Sequence, residues 1–150
     1  MVIEKKLLDQ VSNKAKESPR LRMNYNFHQS LDEKCHRFLN AVEPGTVVPI
    51  HKHPTKDESF VILRGKVRVT THNDDGSIID DVVLRQESGN YGVDIPKNVW
   101  DRMESLKAGS VIFECKEGPF VPHEEEGILE VKSEECIIAP CFFNSLFINL

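Results

Sequence analysis

Residues 45–65 read GTVVPIHKHPTKDESFVILRG, and the fold turns on this stretch. His51 and His53 stand two apart in an extended segment, so their imidazoles leave the backbone on the same side. Glu58 follows five residues after His53, within reach of them from the next strand or loop. Two neutral nitrogens and one hard oxygen make a coordination face that Fe, Mn, Zn, Ni or Co can occupy, with open positions opposite. Taken alone, His-x-His beside Pro54 is equally compatible with solvated surface imidazoles. Gly65 falls between the runs SFVILR and KVRVTTH, where a turn favours a residue without Cβ.

Outward from this stretch the chain is a series of short β-like runs: RFLNAV, TVVPI, SFVILR, KVRVTTH, SIIDDVVL, YGVDI and SVIFECKE. NDDG separates the fourth and fifth of them and signals a hairpin, with Asp75 and Gly76 suited to positive φ. Successive strands without intervening helices call for a sandwich or a barrel. Ahead of them Ile3, Leu7, Val11 and Ala15 recur at four-residue spacing, which predicts an amphipathic helix ending before Pro19.

The chain has 150 residues, 39% of them hydrophobic and 29% charged, enough for one compact domain. Its 19 Lys and Arg against 24 Asp and Glu leave a formal charge of -5 without a basic block, which argues against a nucleic-acid partner. Cys35, Cys115, Cys136 and Cys141 are scattered and form no CxxC, so unpaired thiols in a reducing compartment are expected. The opening MVIEKKLLDQVSNKAKESPR lacks the apolar core of a signal peptide, which points to a cytoplasmic protein. The closing CIIAPCFFNSLFINL is shorter than the roughly 20 residues of a membrane helix and is broken by Pro140 and Asn144. It is expected to pack on the domain or at a subunit interface, not in a membrane.

With Gly45, His51, His53, Glu58 and Gly65 all in step, the stretch resembles the first motif of the cupin superfamily. The second cupin motif is matched in part by residues 89–105, GNYGVDIPKNVWDRMES. Pro96 aligns, Asn98 stands at a glycine position, Asp101 stands where the third metal histidine belongs, and Ser105 replaces a final Asn. Asp101 either ligates, giving a harder and more anionic set that favours Fe(II) or Mn over Zn, or turns to solvent.

A narrower resemblance runs from about residue 24 to residue 122, where the chain is similar to the WbuC family of cupin-fold metalloproteins. It is carried by Asn26 and His28, by Trp100 ahead of Asp101, and by Glu114 with the run Lys116 to Phe120. The resemblance implies an all-β cupin barrel, a double-stranded β-helix or jelly roll, with an N-terminal α-helix. Its expected parts are a helical flank over 1–24, the barrel over 25–122 and a tail over 123–150. It implies a divalent metal on His51, His53, Glu58 and Asp101, and a pocket lined by His28, Asn26 and Trp100, with His28 alternatively capping a loop. Glu114 and Lys116 share one strand face; turned inward they would act in positioning or proton transfer, turned outward they are solvated.

The implied function is a metal-dependent enzyme acting on a small carbohydrate-like substrate, a sugar or sugar nucleotide. Its chemistry would be isomerase or epimerase-type, or hydrolytic, in surface-polysaccharide biosynthesis. The alternative is a non-catalytic cupin that binds or senses a small ligand. Family analogy makes a homodimer the expected assembly. His36, His72 and His123 have no companion pattern and are expected at the surface, and Cys115 is expected to be an inert buried thiol.

Overall fold

In the computed structural model, described over residues 1–120 and 127–129, the polypeptide opens with helix α1, Lys5–Glu17. The strands that follow are β1 (Arg22–Asn26), β2 (Cys35–Val42), β3 (His51–Lys52), β4 (Glu58–Arg64) and β5 (Val67–His72). They continue as β6 (Ile78–Leu84), β7 (Gly92–Ile95), β8 (Trp100–Ser105), β9 (Ser110–Glu117) and β10 (Gly127–Ile128). One antiparallel sheet has the order β1-β2-β9-β4-β7 and the other β10-β3-β8-β5-β6. Two facing antiparallel sheets flanked by a single N-terminal helix are the expected all-β cupin barrel.

Side-chain alternation along β2 shows how the layers are made. Phe38 and Asn40 line the space between the sheets, where Val42 packs with Phe60, Ile62, Val67, Val69, Leu84, Ile95, Met103 and Ile112. Leu39 and Ala41 point the other way and meet Val11 and Ala15 of α1, with Val111 of β9 beside them. The first sheet is therefore covered on both faces, by the barrel interior and by the helix. Arg64 fastens that helix. Its guanidinium donates to the Gly109 carbonyl (3.0 Å), to the Leu8 carbonyl (3.0 Å) and to Ser12 Oγ (2.5 Å), and pairs with Asp9 at 2.6 Å.

Several sequence expectations need adjustment. TVVPI is not a strand: Pro49 has no N–H to give a ladder, Val47 is exposed, and pairing begins only at His51. Strands β1 and β8 were not anticipated, because their inward positions carry polar residues such as Asn24 and Asp101 instead of an apolar alternation. The first strand opens at Arg22, ahead of the boundary expected at residue 25. In the β5–β6 hairpin Gly76 alone takes positive φ, at 85°, while Asp75 does not. His36 and His72 are buried rather than at the surface. His72 lies 2.9 Å from Thr70 Oγ1 and 2.9 Å from the Gly76 carbonyl, so its polar atoms are satisfied inside. His123, Cys136, Cys141 and most of the expected tail lie outside the described residues. Among the described residues no helix is long and apolar enough to cross a membrane.

Candidate metal centre

The motif glycines shape the site before any ligand does. Gly45 and Gly65 have φ of 92° and 89°, in the left-handed region that penalises any residue with a Cβ. Asn98, at a glycine position of the second motif, has φ of 65°, a conformation asparagine tolerates well. That turn clasps the metal loop: the Asn98 N–H donates to the His53 carbonyl at 2.7 Å, and the Lys97 N–H to Asp57 Oδ1 at 2.7 Å.

His51, His53 and Glu58 come together as expected. One donor atom of each lies within 4.8 Å of the others, and His53 Nε2 stands 3.6 Å from Glu58 Oε2. His53 is 4% exposed and Glu58 3%. The His51 Nδ1–H donates to the Pro49 carbonyl at 3.2 Å, which leaves Nε2 as the free donor and fixes the ring's direction. The two imidazole planes meet at 89° with centroids 5.3 Å apart, so they approach a common point from different directions. Two imidazoles and a carboxylate at this spacing fit a divalent cation, since an ion about 2.1 Å from each donor spans a gap like that between His53 and Glu58.

Asp101 lies opposite His51 in the β3–β8 register, is 1% exposed and lines the same cavity. Its oxygens are not among the mutually close donors.

Beside Glu58, in the same sheet, β9 continues the wall of the cavity. Glu114 and Lys116 of β9 both face inward and line the cavity, whose volume is about 190 Å³. Lys116 is directly across from Glu58 in the β4–β9 register, and Glu114 is across from Phe60. Burial pushes the Glu114 carboxyl above the usual carboxylate range, with nearby Lys116 and the Asn40 amide, 3.4 Å away, pulling partly against it.

Three residues expected in the pocket are elsewhere. Trp100 neighbours Asp101 on β8, and alternation sends it to the other face, where its Nε1–H donates to Asp74 at 2.8 Å and Lys52 Nζ lies 4.4 Å from its ring. Asn26 is exposed at the end of β1, and the cavity is lined from that strand by Asn24. His28 caps the start of β2, accepting the Arg37 N–H at 3.2 Å, and stacks on His36 with ring centroids 4.4 Å apart. Cys115 is half-buried, with its Sγ 3.6 Å from that of exposed Cys35, and burial pushes its thiol up.

The His28–His36 stack has a consequence for acid stability. Burial lowers the pKa of His36, aided by the charges of His28, Lys116 and Lys56, against the Leu31 carbonyl that accepts from its ring. The folded state thus resists protonation that the unfolded chain accepts near pH 6.5, and stability is lost as pH falls below that value. The urea midpoint of the parent is expected to drop more between pH 7 and pH 5 than that of His36→Gln; equal drops would remove His36 as the cause.

Arg20, Arg22, Asn24 and Asn40 also line the cavity and escaped the sequence reading. The signal was present in RLRMNY, where polar residues at 20, 22 and 24 alternate with apolar ones at 21, 23 and 25.

Known proteins bear out the architecture. CapF of Staphylococcus aureus, described as a capsular polysaccharide assembling protein, superposes with a TM-score of 0.61 at 25% identity over 76% of this chain and 31% of CapF. KdgF of Halomonas sp. gives a TM-score of 0.52 at 11% identity over 67% of this chain and 82% of its own. A 3,4-ketoisomerase of Helicobacter canadensis gives 0.50 at 19% identity over 60% and 65%. The latter two are likenesses of fold alone, and this chain spans about a third of CapF. No curated protein matches the sequence. The model of one family, described as Domain of unknown function (DUF6016), matches residues 3–84. Because that match covers more than half of the chain and coincides with the helix, the first strands and the His51–His53–Glu58 loop, this protein is a cupin-fold member of the DUF6016 family.

Proposed function

We propose that this cupin is a metal-dependent enzyme acting on a small carbohydrate-like substrate, by isomerase or epimerase-type or hydrolytic chemistry, in surface-polysaccharide biosynthesis. The observation that carries the reading is one cavity lined both by a three-donor metal face and, beside Glu58 on the same sheet, by Lys116 and Glu114. The likeness to CapF supports the polysaccharide setting. His51, His53 and Glu58 would hold the ion. When bound, the metal polarises a carbonyl or hydroxyl oxygen or lowers the pKa of a water.

The chain's own residues supply the rest. Glu114, 7% exposed and with its proton affinity raised by burial, is placed to exchange a proton with a substrate carbon or oxygen. Lys116 offers an ammonium beside it, suited to orienting a substrate oxygen and to balancing charge as that proton moves. Asn40 hydrogen-bonds Glu114 and holds its carboxyl in direction.

The test is to incubate the metal-loaded protein with a panel of aldoses, ketoses, their acids and nucleotide sugars in D₂O, and to follow deuterium incorporation and bond cleavage. Turnover of at least one member is expected, falling about a hundredfold or more in Glu114→Gln with metal content unchanged. Binding of panel members without exchange or cleavage would overturn the enzyme reading in favour of a sensing or binding cupin.

A further inference from the structure

The cavity lining carries as many cations as carboxylates before any metal is bound. Arg20, Arg22 and Lys116 line it together with Glu58, Asp101 and Glu114. A divalent ion on His51, His53 and Glu58 would leave this lining with cations in excess, and a neutral ligand would not relieve it.

The two arginines are built into place. Leu21, between them, has φ of 55°, a left-handed conformation unfavourable for a leucine and held only where surroundings enforce it. Its N–H donates to the Ser18 carbonyl at 2.9 Å, and its own carbonyl accepts from the Glu43 N–H at 2.9 Å and from the Thr46 hydroxyl at 2.5 Å. Its side chain lies against Gly45, where a Cβ would stand 3.3 Å from Leu21 Cδ1. Outward from this pinned residue, Arg20 and Arg22 both reach the cavity, and Asn24 continues the same face. Met23 and Tyr25 turn instead toward the helix-side core.

Building on the function proposed above, we infer that the substrate is a small polyhydroxylated acid whose carboxylate or phosphate group is held at the rim by Arg20 and Arg22. Paired guanidiniums suit either group, because each presents several N–H donors to planar or tetrahedral oxygens. The acid end would lie at the arginines and the hydroxyls toward His51, His53 and Glu58. The same cavity, about 190 Å³, carries the arginines and the metal donors in one lining, so a single small ligand can meet both.

The test is calorimetric titration of Mn-loaded protein with glucose, glucuronate and glucose 6-phosphate, with metal content measured on the same samples. At least one acid is expected to bind about tenfold or more tightly than glucose, the scale of charge-assisted hydrogen bonds. Glucuronate alone would assign a carboxylate, glucose 6-phosphate alone a phosphate. The preference is expected to vanish in Arg20→Gln/Arg22→Gln at unchanged metal content, to weaken in Arg20→Gln, whose site is exposed, and to weaken in Arg22→Lys, which keeps the charge and loses the guanidinium fork. Equal binding of glucose, no binding of either acid at millimolar concentration, or a preference that persists in the double variant would overturn the inference. Metal retained without an acid preference refutes this inference and spares the metal-enzyme reading; an acid preference in protein that holds no metal does the reverse.

Discussion

His53→Ala is expected to lose divalent-metal binding, from about one ion per chain to a content near background after dialysis. His53 is one of three donors, it is buried, and its Nε2 faces the Glu58 carboxylate at 3.6 Å. Removing even an outer partner of a metal ligand costs about tenfold to a hundredfold in affinity, and removing a ligand itself costs more. The loss should appear twice, as absent metal by elemental analysis and as the disappearance of the thermal stabilisation that Mn, Co or Zn gives the parent by mass action. Asp101→Ala provides the contrast. Because three other residues already form the mutually close donor group, that variant should keep its metal with affinity changed by less than about tenfold. Loss of metal in both variants would place Asp101 among the ligands, and a parent that never binds metal would sink the metalloenzyme.

Gly65→Ala is expected to destabilise the fold by about 3 kcal/mol, although it adds one methyl group. Part of the cost is conformational, since φ of 89° charges an alanine about 1–2 kcal/mol. The remainder is contact: a Cβ there would stand 2.7 Å from Ser110 Cα and 2.9 Å from Ser110 Cβ, so strand β9 itself would have to shift. Gly89→Ala separates the two effects. Gly89 has φ of 81°, close to that of Gly65, and open space around it, so only the conformational part should appear. Urea unfolding of the two variants at one pH provides the comparison; equal losses would show that β9 yields freely at Ser110.

The difference between these glycines explains which parts of the molecule could be read in advance. Gly45, His51, His53, Glu58 and Gly65 act through local geometry within one short stretch, so their spacing carried both the turn and the convergence of donors. The inward direction of Glu114 and Lys116 was one of two parities of β9, and only the position of β4 and β2 on either side decides which parity faces the barrel. Trp100 and Asp101 show the limit of motif reading, because adjacent residues on a strand cannot both enter a cavity. His36 and His72 show another: a polar residue with no motif reads as surface, yet each finds hydrogen-bond partners in the interior. Arg20 and Arg22 were hidden by their place between a helix and a short strand, where an alternation of a few residues is easily assigned to a linker.

The fastening of α1 by Arg64 also sets an order of events during synthesis. Every surface the helix packs on follows it in the chain: Met23, Tyr25 and Phe27 on and beside β1, Leu39 and Ala41 of β2, then Leu63 and Arg64 of β4, and finally Val111 and the Gly109 carbonyl on and beside β9. A lone helix of 13 residues is marginal in water. Its apolar stripe of Leu7, Leu8, Val11 and Ala15 is therefore met first by β1 and β2 and covered fully only once β4 and β9 have emerged. The Arg64 clasp on that helix is thus completed last, by a carbonyl some hundred residues farther along the chain.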